Sequence, residues 1–169
     1  MINCPIENTA IQEDDGSWKE IRVREKISQG YGERPKYYQQ FGLASHNGID
    51  YAVPAGTPVY APFDGIVTTG FDPNGYGNFV RLTSDDKQCV LAHLSAFNVT
   101  ENQGVHLGDL IGAVGNTGNS TGPHLHFGLR KMQLGTILNY DNGNFGYIDP
   151  EEFIIEYKGT HKKNSLADS

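Results

Sequence analysis

Apolar residues come in short runs broken by Gly, Pro and Asn, and no helical period lasts three turns between Gly48 and Leu129. The pattern predicts strands instead. Thr57–Ala61 is held extended by Pro58 and Pro62. Asp64-Gly65 turns into a strand at Ile66–Thr69, and Asn74-Gly75 with Tyr76-Gly77 turns into another at Phe79–Thr83. Ser84-Asp85-Asp86 leads to Gln88–Leu94. A short strand lies between Asn102-Gln103-Gly104 and Leu107-Gly108-Asp109, and Leu110–Val114 and Leu125–Leu129 complete the set. The expected fold class is mainly β: an antiparallel sheet, sandwich or barrel of short strands with Gly-rich hairpins and little helix. Residues 1–17 are polar and read as a loose leader, Trp18–Ile27 as a strand or irregular arm, and residues 130–157 as a looser closing segment.

Composition sharpens this picture. The 21 glycines in 169 residues exceed the usual share of about 7% and fit tight turns. With 37% hydrophobic and 20% charged residues the chain is neither a membrane span nor a disordered acidic tail. The formal charge is −7, and residues 37–129 hold only Arg81 and Lys87 against seven acidic groups. A nucleic-acid or anionic-membrane binder needs a basic face, so no nucleic-acid partner and no membrane insertion are expected. An acidic groove would favour substrates with free amines. No apolar run approaches 18 residues, and the first residues show neither a basic stretch nor an apolar run, so no signal peptide is visible. Cys4 and Cys89 read as one exposed and one buried free thiol.

Three histidine patterns carry candidate chemistry. In His46-Asn47-Gly48-Ile49-Asp50 an imidazole and a carboxylate share a face, a good first pair of metal ligands but a weak signal alone. In His124-Leu125-His126, period two puts both imidazoles on one strand face with Leu125 and Phe127 on the core side. A solvent-facing pair would look the same. His93 ends an apolar strand, where a structural role is the commoner one.

Their order is more specific than any one of them. H-x-x-x-D, then H-L-S at His93–Ser95, then the Gly-rich stretch Gly115–Pro123 and H-x-H resemble the lysostaphin/LytM-type zinc endopeptidases. Thr57–Ala61 with Asp64-Gly65, Gly75-Tyr76-Gly77-Asn78, Gly104–Gly112 and Asp149-Pro150 extend the likeness to roughly residues 28–155. The resemblance implies a duplicated hybrid motif fold and one Zn²⁺ per chain held by His46, Asp50 and His126. It implies His93 and His124 as catalytic histidines that do not bind the metal. It further implies hydrolysis of peptide bonds in peptidoglycan, in the stem peptide or cross-link, by a zinc-activated water assisted by two histidines. The peptidoglycan peptide is then the substrate, and the site of action the bacterial cell wall. Delivery by a larger assembly such as a phage particle would fit the absent leader. Tyr37 or Tyr38 is placed to offer a hydroxyl, as an upstream tyrosine does in some relatives, although ordinary packing explains either. His106 reads as a half-exposed strand residue and His161 as a tail residue.

The implied organisation is an N-terminal arm over residues 1–27, a zinc peptidase domain over 28–157 and a disordered tail over 158–169. The leading alternative is a non-catalytic wall-binding or activator module on the same fold, which would lack a ligand or a base. A carbohydrate-binding or biotinyl/lipoyl-like β-domain would need no histidine set at all. The loop Asn74–Asn78 and residues 130–148 are expected to wall the substrate groove.

Overall fold

The computed structural model describes residues 1–155. Strands dominate, as expected. In chain order they are β1 (Ile2–Asn3), β2 (Thr9–Gln12), β3 (Trp18–Ile21) and β4 (Ile27–Gln29), then the single-turn helix α1 (Pro35–Tyr38). There follow β5 (Ile49–Tyr51), β6 (Pro58–Tyr60), β7 (Gly65–Asp72), β8 (Gly77–Thr83), β9 (Lys87–Phe97), β10 (Gly104–Val105) and β11 (Leu110–Val114). β12 (Leu125–Gln133), β13 (Thr136–Ile137), β14 (Tyr147–Ile148) and β15 (Ile154–Ile155) complete the described chain.

Eleven strands form one antiparallel sheet with the path β10-β7-β8-β9-β12-β5-β4. β11 branches from β9 to β6, while β13 and β14 pair with β12. β2 and β3 form a separate hairpin.

β12 lies between β9 and β5 and is covered on both faces. Leu125, Phe127 and Leu129 join the main core with Leu91, Leu94, Ile49 and Tyr51. Each such side chain contributes about 1.5–3 kcal/mol on burial. The alternate face is not open to solvent. Instead it lies under a second cluster: Val90, Ala92 and Tyr147, with Tyr31, Tyr76 and Phe79 packed on them. His126 on that face is therefore buried, only 4% exposed. The chemistry sits between two apolar layers.

The leader departs from expectation. Ile2, Cys4 and Ile6 are buried in the main core. Ile2 and Asn3 pair in parallel with Ile154 and Ile155, and Tyr60 N–H donates to the Pro5 carbonyl at 2.8 Å. Residues 4–8 are buried without a break, and the three apolar side chains outweigh the polarity of the residues around them. Cys4 is thus buried like Cys89, rather than exposed, and neither forms a disulfide. Val23 also reaches the core, so the first residues and Val23 are anchored in the domain, while the hairpin between them is largely exposed. The expected tail over 158–169 lies outside the described residues. No described helix is long and apolar enough to cross a membrane.

Candidate metal centre and active-site cleft

The five histidine and aspartate side chains singled out above come from three stretches of the chain. Asp50 on β5 and His126 on β12 are direct cross-strand partners. His46 enters from the loop before β5. The loop closes because Gly48 has no side chain: a Cβ there would lie 2.4 Å from the Phe127 carbonyl oxygen and 2.9 Å from His126 Nε2. His93 sits on β9 where the β8–β9 register shifts, and its φ is +63°. That irregularity aims the ring out of the strand's alternation and toward the cleft. His124 immediately precedes β12, bridged to Gly115.

Three ligand-type atoms converge. His126 Nδ1 lies 2.9 Å from Asp50 Oδ1 and 3.1 Å from His46 Nε2, and His46 Nε2 lies 3.2 Å from Asp50 Oδ1. Tetrahedral zinc bonds of 2.0–2.2 Å would set ligand atoms roughly 3.3 Å apart, so the triangle already has the required size. The proton inventory points the same way. In the neutral His46 ring Nδ1–H donates to the Gly30 carbonyl at 2.9 Å, which leaves Nε2 as a bare lone pair facing a carboxylate oxygen. Lone pairs in contact repel, whereas a shared divalent cation would satisfy all three. His46, Asp50 and His126 are the group among the described residues able to hold a metal in this way.

Burial opposes ionisation at Asp50, but the adjacent His126 and His46 rings outweigh it and hold the carboxyl well below its usual range. Burial lowers His126 and keeps it neutral. A carboxylate and neutral imidazoles are the protonation states a metal ligand set needs.

The two remaining histidines are oriented by backbone carbonyls. His93 Nδ1 lies 2.7 Å from the Thr117 oxygen, and His124 Nδ1 lies 2.9 Å from the Gly122 oxygen with Ser120 Oγ at 3.2 Å. Each neutral ring therefore donates from Nδ1 and keeps a free Nε2 lone pair. The rings pack with centroids 4.5 Å apart. His124 Nε2 stands 3.9 Å from Asp50 Oδ2, outside ligand contact. Burial pushes His93 down to about 4, partly offset by its Thr117 hydrogen bond. In the metal-free protein, the His93 ring should therefore titrate near pH 4 by NMR, with a midpoint above 6 contradicting its burial. The sign for stability follows. As the pH falls from the ordinary imidazole value of about 6.5 through 4, the unfolded chain takes the proton first, so folding free energy is lost over that window.

His46, Asp50, His93 and His126 line a cleft of about 770 Å³, with His124 packed on His93. Its walls include Asn74, Gly75 and Tyr76 on one side and Arg130, Ile137, Tyr140, Phe145 and Tyr147 on the other, the segments expected to border a groove. Tyr37 and Tyr38 also line it. Tyr38 stacks on His46 at 5.1 Å and hydrogen-bonds Gln29 through its hydroxyl. Burial and then the Asp50 charge push that hydroxyl above its usual range, so it stays a donor. The Tyr37 hydroxyl accepts from Asn119 at 3.1 Å. His106 stands apart, 88% exposed and just beyond β10 rather than half-exposed within a strand. His161 lies outside the described residues.

Several supporting residues escaped the sequence reading. Tyr76 stacks on His126 at 5.4 Å, and its hydroxyl accepts from Asn47 at 2.8 Å. Thr117 and Ser120 hold the two outer histidines. Only their place inside recurring Gly-rich stretches signalled them.

The domain is mainly β and carries a His–Asp–His cluster with two further histidines packed beside it. A family model described as Peptidase family M23 matches residues 44–142, and the chain belongs to that family. Over 86 residues it is 50% identical to DD-carboxypeptidase/endopeptidase Mpg of Neisseria meningitidis serogroup B, covering 50% of this chain and 20% of that protein. Over 105 residues it is 39% identical to peptidoglycan DD-endopeptidase ShyA of Vibrio cholerae, covering 62% and 24%. The chain thus spans about a fifth to a quarter of the curated relatives it matches. The solved catalytic domain of lysostaphin, the antimicrobial peptidase from Staphylococcus simulans, superimposes with a TM-score of 0.62 at 34% identity. That match covers 76% of this chain and 90% of that one.

Proposed function

We propose that this chain is a zinc-dependent endopeptidase that hydrolyses peptide bonds of peptidoglycan, in the stem peptide or cross-link, at the bacterial cell wall. One observation carries the reading: three ligand-type atoms 2.9–3.2 Å apart line a cleft with His93, and His124 packs on His93, both outer imidazoles keeping Nε2 free. His46, Asp50 and His126 would hold the zinc. When bound, the metal would supply Lewis-acid polarisation and a water of lowered pKa.

The chain's own residues supply the rest. The free Nε2 of one outer histidine accepts a proton and passes it to the leaving amine; the other, when protonated, donates to the developing oxyanion. The Thr117 and Gly122 carbonyls hold both rings in the tautomer this requires. Tyr38, kept protonated, adds a donor beside His46. A peptide substrate is supported by membership in a peptidase family, and peptidoglycan by the named activity of ShyA. The non-catalytic alternative gains no support, because every member of the five-residue set is present in the chain.

The test is mass spectrometry of fragments released from purified sacculi of several peptidoglycan chemotypes. New amines should appear with the zinc-loaded protein, vanish with a chelator and return on adding zinc. Bound zinc without new amines would favour the binding-module reading. The released fragments also identify the bond.

A further inference from the structure

The cleft contains two cations that this chemistry leaves unused. Arg81 of β8 and Arg130 of β12 both line it. On β12, His126 pairs with Ala92, Gly128 with Val90 and Arg130 with Gln88 of β9. On the other side of β9, Val90 pairs with Arg81. His126, Gly128 and Arg130 alternate along one face of β12. At roughly 3.3 Å per residue the Arg130 backbone lies about 13 Å from that of His126. Arg81 stands two strands across, level with Gly128.

Neither guanidinium has an ion-pair partner among the described residues. Arg130 is 9% exposed. Its Nε and Nη2 donate to Gln88 Oε1 at 2.8 and 2.6 Å, its Nη1 to the Phe145 carbonyl at 3.2 Å, and it lies 4.7 Å over the Tyr147 ring. All three partners are neutral. Arg81 lies 4.9 Å over the Phe79 ring, and its Nε is buried with no hydrogen-bond partner. A cation withdrawn from water without a counter-charge raises the free energy of the site until an anion arrives. The acidic groups of the cleft do not compensate. Asp50 faces His46 and His126, and Asp72 Oδ1 accepts from the Asn74 N–H at 3.1 Å. The negative charge of residues 37–129 therefore does not make this end of the groove acidic, contrary to the amine preference read from it.

We propose that Arg81 and Arg130 form a subsite for a free carboxylate of the substrate peptide. It rests on the peptidase reading. A planar guanidinium matches a carboxylate in two-point contact, which an amide cannot reproduce. At ~3.3–3.6 Å per extended residue, and allowing for the reach of the arginine side chains, the carboxylate falls roughly two to four residues from the bond that is cut.

The experiment compares cross-linked stem-peptide dimers in two forms, with free carboxylates and with every carboxylate converted to carboxamide. The zinc-loaded full chain should prefer the free acid by about ten-fold or more in kcat/KM. Arg81→Gln should bring that ratio toward one. Arg130→Gln should do the same where it folds, and Arg81→Gln keeps the test alive where it does not. Equal kcat/KM for both forms, or a preference untouched by Arg81→Gln, overturns the subsite. Calorimetric titration with the same two dimers gives an answer independent of turnover. If neither is hydrolysed, the peptidase reading fails, but tighter free-acid binding lost in Arg81→Gln still supports the subsite. Equal affinities overturn it.

Discussion

Replacing His126 with alanine should remove the metal and the activity together, whereas His124→Ala should keep the metal and lose the activity. The geometry separates the two residues although only Leu125 stands between them. His126 Nδ1 is 2.9 Å from Asp50 Oδ1 and 3.1 Å from His46 Nε2, inside the triangle. His124 Nε2 stands 3.9 Å from Asp50 Oδ2, and its Nδ1 is occupied by Gly122 and Ser120. Deleting His124 therefore leaves three donors intact and removes a proton acceptor, which is worth about 10²–10⁴-fold in rate. Deleting His126 leaves His46 and Asp50, too few for a three-ligand catalytic site. Zinc content by mass spectrometry and turnover of a peptidoglycan dimer, measured on both variants, check this, with circular dichroism to show that each is folded. Zinc lost from His124→Ala and retained by His126→Ala would reverse the assignment of ligand and base.

The sequence was most legible where pattern and chemistry coincide. The apolar runs of β9 and β12 and the Gly-rich turns between strands announced an antiparallel β-domain, and the structure bears this out. The spacing of His46 and Asp50, and of His124 and His126, put these residues near one another because each pair shares a local face. What stayed hidden depends on partners far away in the chain. Ile2, Cys4 and Ile6 alternate, but nothing local says that β15 waits beside them. The second apolar layer over His126 is assembled from Tyr31, Tyr76, Phe79 and Tyr147, scattered over more than a hundred positions. The register shift at His93 cannot be read from a β-rich run that looks regular, and the clustering of Arg81 with Arg130 follows only from the strand pairing.

Gly118→Ala should destabilise the domain by about 2–4 kcal/mol and lower activity beyond that loss. Gly118 has φ +77°, which costs an L side chain roughly 1–2 kcal/mol. Space is the larger obstacle. A Cβ there would lie 2.2 Å from Gly77 N, 2.5 Å from Gly75 O and 2.6 Å from Gly77 Cα, so it would collide with backbone that cannot rotate away. Overpacking of this kind adds about 1–3 kcal/mol. The contact is reciprocal, since a Cβ on Gly77 would meet Thr117 C at 2.3 Å. These two loops are clasped by Asn119 N–H to Gly75 O at 2.9 Å and by Asn78 N–H to Thr117 Oγ1 at 3.0 Å. The same Thr117 offers its carbonyl to His93 Nδ1 at 2.7 Å, and Tyr76 accepts the His93 N–H at 2.8 Å. Forcing the loops apart thus loosens both restraints on one imidazole, and a misplaced catalytic group costs rate out of proportion to the movement. Gly122→Ala is the control from the same stretch: nothing lies within 4 Å of its Cβ, so stability should change by less than about 0.5 kcal/mol. Urea unfolding and kcat/KM of the two variants decide the matter. Equal effects at positions 118 and 122 would mean that the clasp between the loops contributes nothing to holding His93.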